Sequence, residues 1–193
     1  PIVISLDQLA GWQATAARNG SPLPVVLHFD TGINLTGLGW RDTATLAEER
    51  TLLNGLELRH VLSLLASADE PTDQSARQLE RFRGIRAAFP GGVASLANSA
   101  GIFRGAEYHF DLGRPGIALY GGSPGAVMDP APATVVTLEA PILQLRDVVA
   151  GDEVGYGATH VVDGPRVHAV VGVGYADGYH RSGSNRAEAA IGG

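Results

Sequence analysis

Over the first 121 positions, short unbroken apolar runs alternate with longer stretches whose apolar residues recur every three to four positions. Residues 2–5 (IVIS) read as a strand, and Asp7 is a fair N-cap for a helix over 8–18. Asn19-Gly20-Ser21-Pro22 is a turn. Residues 25–29 are apolar almost without a break, which predicts a fully buried parallel strand. Asp42 or Thr43 then caps a helix from 44 to about 53, with Leu46, Leu52 and Leu53 inward. The next strand lies within 58–66. Asp69-Glu70-Pro71-Thr72-Asp73 caps a long helix through 89, on which Leu79, Phe82, Ile85 and Phe89 recur at helical spacing, and Pro90-Gly91-Gly92 ends it.

Two further strand-to-loop transitions follow. Residues 93–97 break at Asn98-Ser99-Ala100-Gly101, and residues 108–112 break at Gly113-Arg114-Pro115-Gly116. The alternation of strand and helix argues for parallel βα units, in which both breaks lie at carboxyl ends of strands, where ligands bind. A serine hydroxyl, glycine N–H groups and the start of a following helix make an anion seat. Arg114 adds a fixed charge. One such loop alone is ordinary turn chemistry; two with an arginine between them point to a ligand. For Arg114 an ion pair with Asp111 or Glu107 is the competing reading. Residues 122–132, rich in Gly and Pro, read as a linker. Beyond them the helical period disappears, and residues 134–145 and 166–174 are β-rich, with turns at Ala150-Gly151-Asp152 and Asp163-Gly164-Pro165.

Composition narrows the function. With 193 residues, 45% of them hydrophobic, the chain can bury a core and hold one large domain or two small ones. A net charge of −6 with no basic cluster argues against nucleic acid as a partner. The absence of cysteine excludes disulfides and thiolate metal sites, and no metal site is expected. No apolar run approaches the roughly 20 residues a bilayer requires, and PIVIS lacks the features of a signal peptide. A start without Met suggests that the chain begins partway through something longer. All 14 basic side chains are Arg; there is no Lys.

Residues 95–101 (SLANSAG) and 111–121 (DLGRPGIALYG) resemble the phosphate-binding and pyridine-binding segments of alanine racemase, a pyridoxal 5'-phosphate family. LHFDTGINLTGL at 27–38, ASADE at 66–70, EVGYGATH at 153–160 and GVGYADGYHR at 172–181 resemble further blocks in the same order. The resemblance implies an α/β fold: residues 1–121 as the C-terminal half of a TIM-type barrel that binds the cofactor, 122–132 as linker, and 133–193 as the start of a β-rich C-terminal domain. It also implies a cytoplasmic homodimer whose active site is shared across the interface. The reaction would be interconversion of L- and D-alanine for peptidoglycan. Alternatives are a racemase for another amino acid, or a degenerate module that binds the cofactor or another phosphorylated ligand.

By the same resemblance, Ser99, Gly116 and Ile117 hold the cofactor phosphate and Arg114 faces the pyridine nitrogen. An arginine there keeps that nitrogen unprotonated, because guanidinium does not give up its proton. Tyr156 is the catalytic base, arriving from the partner subunit; a tyrosine starts near pKa ~10 and needs help to act at neutral pH. Its competing reading is a tyrosine packed at a β-turn with its hydroxyl bonded to backbone. Tyr175, Arg181 and Asp69 resemble residues at the substrate entrance, and each could equally be a surface residue. Two positions depart from the family. Leu35 stands where it has an Arg that contacts the substrate carboxylate, and Leu64 where it has a His that stacks on the pyridine ring and bonds both the Tyr and the pyridine-facing Arg. Leucine offers neither hydrogen bond. With no Lys, the chain alone has no amine for a Schiff base and is expected to be inactive.

Overall fold

Ser5, not Asp7, starts the first helix. Its hydroxyl accepts the Gln8 N–H at 3.2 Å from an extended backbone, which leaves Asp7 in the first turn, where its charge still complements the helix N-terminus. In the computed structural model, which describes residues 1–125 and 131–189, this helix, α1 (Leu6–Asn19), follows a two-residue strand β1 (Ile2–Val3) and ends at Gly20, whose φ of 65° suits a residue without Cβ. Next come β2 (Leu23–His28), α2 (Trp40–Glu48), β3 (Leu56–Leu62), α3 (Gln74–Ala88), β4 (Val93–Ser95) and the short α4 (Ser99–Arg104).

Three boundaries differ from expectation, each for a local reason. Thr43 does not cap α2, because its hydroxyl donates back to the Gly39 carbonyl at 2.8 Å inside the helix. Glu49, at φ −101° and ψ 71°, then breaks α2 from a separate 3-10 turn, Arg50–Leu53. The third strand stops at Leu62, since the Leu64 carbonyl and the Ala66 N–H are both taken by the Gln78 side chain. Residues 108–112 are not a strand. Ala106–Tyr108 is a 3-10 turn and Phe110 has a φ of 49°. The Asp111 carboxylate takes the Ala94 N–H at 2.8 Å, while the Asp111 and Leu112 N–H groups share the Ala94 carbonyl. The segment therefore flanks β4 as an irregular edge.

The four strands form one parallel sheet in the order β1-β2-β3-β4. Side chains alternate between its faces. Val3, Val25, Leu27, Phe29, Val61 and Ala94 are buried with the helix residues Leu9, Leu46, Leu79, Phe82 and Phe89 in one core, where the Phe29 and Phe89 rings lie 5.0 Å apart. The other face carries Val26, His28, His60 and Leu62, all only half-buried. The expectation that the second strand is buried on both faces is thus corrected: alternate residues see the core.

The chain divides into two compact units, Pro1–Val136 and Thr137–Gly193. In the second unit β5 (Ile142–Val148) pairs antiparallel with β8 (Arg166–Val171), and β6 (Glu153–Val154) with β7 (His160–Val161). The strand expected from 134 begins only at Ile142. Pro141 just before it has no N–H to give a ladder, although its carbonyl accepts from Gly172 at 2.8 Å. Part of the expected linker, residues 126–130, lies outside the described residues. No helix among the described residues is long and apolar enough to cross a membrane.

Candidate functional site

Asn98 builds the first half of the site. Its side-chain oxygen accepts the Gly101 N–H at 3.0 Å and its amide donates to the Leu65 carbonyl at 3.2 Å, turning the chain sharply after β4. Ser99 is left buried, its hydroxyl accepting from the N–H of Gly116 at 2.8 Å and of Ala118 at 3.3 Å. The hydroxyl proton stays free to donate outward, and the Ile117 N–H has no partner among the described residues. A Cβ on Gly116 would come no nearer than 4.0 Å to Ser99 Oγ, so the seat has room for an anion. Neither following helix supplies a strong dipole: α4 has six residues and Ile117–Tyr120 is a single 3-10 turn. The expected helix-start contribution is therefore small, and the donors that the seat presents are the Ser99 hydroxyl and the Ile117 N–H.

Two residues before Gly116 stands Arg114. Its backbone N–H donates to the Ala97 carbonyl at 2.8 Å, and its guanidinium donates to Ser95 Oγ and the Ser63 carbonyl. The Ser95 hydroxyl in turn donates to the Leu112 carbonyl at 2.6 Å. The expected alternative, an ion pair with Asp111 or Glu107, does not form. Asp111 instead lies 3.6 Å from Arg86, and among the described residues no carboxylate pairs with Arg114. Burial lowers its pKa from the ordinary value, yet a guanidinium stays charged throughout the physiological range. The result is a partly buried cation held by neutral oxygens and lacking a counter-charge.

His28 joins this cation across the sheet. It lies opposite Leu62, which lies opposite Ser95, so the three share one row. Its Nε2 is buried without a hydrogen-bond partner. Burial, then the Arg114 charge, push the His28 pKa below its usual 6.5, against a smaller upward pull from Asp30. No motif in the sequence marks His28; its one signal is its place two residues before Asp30 at a strand end. The Asp30 carboxylate accepts the N–H groups of Gly32, Ile33 and Asn34 at 2.8, 3.0 and 3.2 Å. Leu35 is lifted onto the outer bend of that loop, 74% exposed, while Leu64 is half-buried just past β3.

The remaining candidates divide between the units. Asp69 is exposed on the loop after β3, where Arg104 gathers the carbonyls of Ala68, Glu70 and Thr72 at 2.9–3.0 Å. Tyr156, Tyr175 and Arg181 belong to the second unit. There they line a single hollow of about 360 Å³ with His160 and Asn185, and the Arg181 guanidinium sits 5.6 Å from the Tyr175 ring centre. Tyr156 stands between Gly155 and Gly157, at φ 74° and 77°. Its ring is 96% exposed, which rules out the reading of a tyrosine packed against its own turn.

Residues 1–124 match the family model described as alanine racemase, N-terminal domain, and residues 135–193 match alanine racemase, C-terminal domain. An alanine racemase of Methylobacterium nodulans is 44% identical over 194 residues, covering 100% of this chain and 52% of that protein. One of Brucella canis is 42% identical over 206 residues with the same coverage. The chain spans about half the length of the curated relatives it matches. Among solved structures, the alanine racemase of Bartonella henselae with covalently bound pyridoxal phosphate superposes with a TM-score of 0.83 at 33% identity. It covers 94% of this chain and 51% of its own. The biosynthetic enzyme of Pseudomonas aeruginosa gives 0.78 at 34%, with the same coverage. The open parallel sheet is accordingly part of a TIM-type barrel, followed by the start of a β-rich C-terminal domain, and the chain belongs to the alanine racemase family.

Proposed function

We propose that this chain supplies the cofactor seat of a pyridoxal 5'-phosphate-dependent racemase that interconverts L- and D-alanine for peptidoglycan, in the cytoplasm and as a homodimer. Residues 1–121 are then the C-terminal half of the barrel, 122–132 the linker and 133–193 the start of the second domain. The observation that carries the reading is Arg114, a partly buried cation without a carboxylate partner among the described residues, two residues from the Gly116 N–H that meets Ser99. An uncompensated buried charge is costly unless something electron-rich meets it. A pyridine nitrogen does so without demanding a proton.

The residues fit the cofactor in two places. Ser99 O–H and the Ile117 N–H suit its phosphate, with the Gly116 N–H, held by Ser99 Oγ, fixing the seat beside them, and Arg114 suits its ring nitrogen. When bound, the cofactor supplies an electron-withdrawing ring that makes the α-proton of an attached amino acid labile. Tyr156 then holds or delivers that proton on one face, with its exposed hydroxyl reaching the site from the partner subunit. Tyr175, Arg181 and Asp69 line the approach of the substrate. No Lys is present to tether the cofactor, so the chain alone holds it without a covalent link and does not racemise.

Titration of the purified chain with pyridoxal 5'-phosphate, followed by absorbance, tests this. Saturable binding is expected, with no borohydride-fixed cofactor and no exchange of the alanine α-proton in deuterated buffer. Arg114→Ala should weaken binding at least about tenfold, and Ser99→Ala by a similar factor, each removing a hydrogen bond to a charged group. Wild-type binding in Arg114→Ala sinks the reading. Leu35 and Leu64 favour a second reading, in which the substrate is another amino acid or the module binds without turnover. A Lys-containing full-length protein that holds the cofactor but leaves the alanine α-proton in place would decide for it.

A further inference from the structure

We propose that Gln78 is a positioning residue for Arg114, acting through Thr31 and Ser63; this rests on the reading of Arg114 as the cation that faces the ligand ring. Gln78 is 1% exposed on α3, and its amide groups are fully engaged. Its Nε2 donates to Thr31 Oγ1 at 3.1 Å and to the Leu64 carbonyl at 2.8 Å, while its Oε1 accepts the Ala66 N–H at 2.9 Å. Turning the amide over would set donor against donor at Ala66 and acceptor against acceptor at Leu64, so only one orientation is compatible with its neighbours. Thr31 Oγ1 in turn lies 2.7 Å from Ser63 Oγ, both residues being buried, and the Ser63 carbonyl receives the Arg114 guanidinium.

A line of hydrogen bonds thus runs from the helix through the ends of β2 and β3 to the cation, with no ionisable group before its last member. Its neighbours on the same stripe of α3 hold the same loops. Gln74 donates to the Gly32 carbonyl at 3.1 Å and accepts from Ser67 at 2.8 Å, and Arg81 donates to the Thr31 carbonyl at 2.9 Å. A buried amide adds nothing to the apolar core and costs desolvation; its return is a fixed arrangement of its partners. The other anchor of Arg114, Ser95 Oγ, is set by its own bond to the Leu112 carbonyl, although the Ser95 carbonyl accepts the Ser63 N–H at 3.1 Å. Without Gln78 the guanidinium keeps one pivot and loses its set direction. The phosphate seat at Ser99, Gly116 and Ile117 is held by separate bonds.

That separation gives the test. On the complete chain, binding of pyridoxal 5'-phosphate and of inorganic phosphate is compared in Gln78→Met, Thr31→Val and Thr31→Ser, together with the Arg114 Nε–H resonance in the free protein. Gln78→Met and Thr31→Val should each weaken the coenzyme about tenfold while leaving phosphate unchanged, and shift the Arg114 resonance. The double variant should be no worse than either single one, and Thr31→Ser should bind as wild type. Parallel loss of coenzyme and phosphate, or coenzyme binding equal to wild type, overturns the proposal. A wild-type chain that binds phosphate but not the coenzyme fails differently: it removes the reading of Arg114, and this inference with it.

Discussion

His28 is the side chain whose ionisation folding alters most directly at the site. Its pKa in the folded chain lies below the 6.5 of a free imidazole, through burial first and the Arg114 charge second, with Asp30 opposing. The sign follows from proton counting. Below about pH 6.5 the unfolded chain takes up a proton that the folded chain refuses, so stability falls as pH drops toward the lowered folded value, and is unaffected by this group above 6.5. Replacing it by glutamine should flatten that part of the wild-type profile, as read by urea unfolding between about pH 5 and 7. An unchanged slope in His28→Gln would assign the acid sensitivity elsewhere. The same stretch shows what a sequence hides. Leu79, Phe82 and Phe89 announced themselves by helical spacing and are buried. Gln78 beside them is equally buried, but a glutamine on a helix reads as surface until the loops it bonds have folded over it.

Helix α3 is closed by one arginine. Arg86 Nη1 donates to the carbonyls of Phe89, Pro90, Gly91 and Gly92 at 2.8–3.3 Å, covering the turn into β4. Its 3.6 Å approach to Asp111 is partly exposed and adds little by itself. The carbonyl contacts matter more, and through Asp111 they touch the Ala94 N–H that the carboxylate accepts. Arg86→Ala should therefore destabilise the first unit by about 1–3 kcal/mol and raise amide exchange at Ala94 ahead of β2 and β3. Uniform exchange across the sheet would show that the arginine merely supports the fold at large. Residues 108–112 do not form the expected strand for a related reason. The period of its side chains suits a strand, but a positive φ at Phe110 and a carboxylate that captures a ladder N–H override it. The turn after β4, by contrast, is legible, since the Asn98 side chain takes the Gly101 N–H within the loop, whereas its bond to Leu65 and that of Ser99 to Gly116 come only with the fold.

The two units differ in how much apolar surface they remove from water. In Pro1–Val136 one sheet face and three helices share a core. In Thr137–Gly193 only Val162 is buried among the described residues, while Leu143, Leu145, Val161 and Val167 are each more than half exposed. Conformational entropy costs on the order of 1–2 kcal/mol per ordered residue, and domains of about 60 residues are marginal even with a complete core. Two separate two-stranded ladders do not meet that cost, because isolated hairpin-like pairs are at best marginally stable in water. Residues 137–193 expressed alone should therefore show no cooperative thermal transition and little amide dispersion, whereas residues 1–136 should melt cooperatively. A sharp transition in the short segment would mean that its strands find a core of their own. In that case the exposed valines and leucines would have to be buried by rearrangement or self-association, which sedimentation at two concentrations separates: only the second depends on concentration.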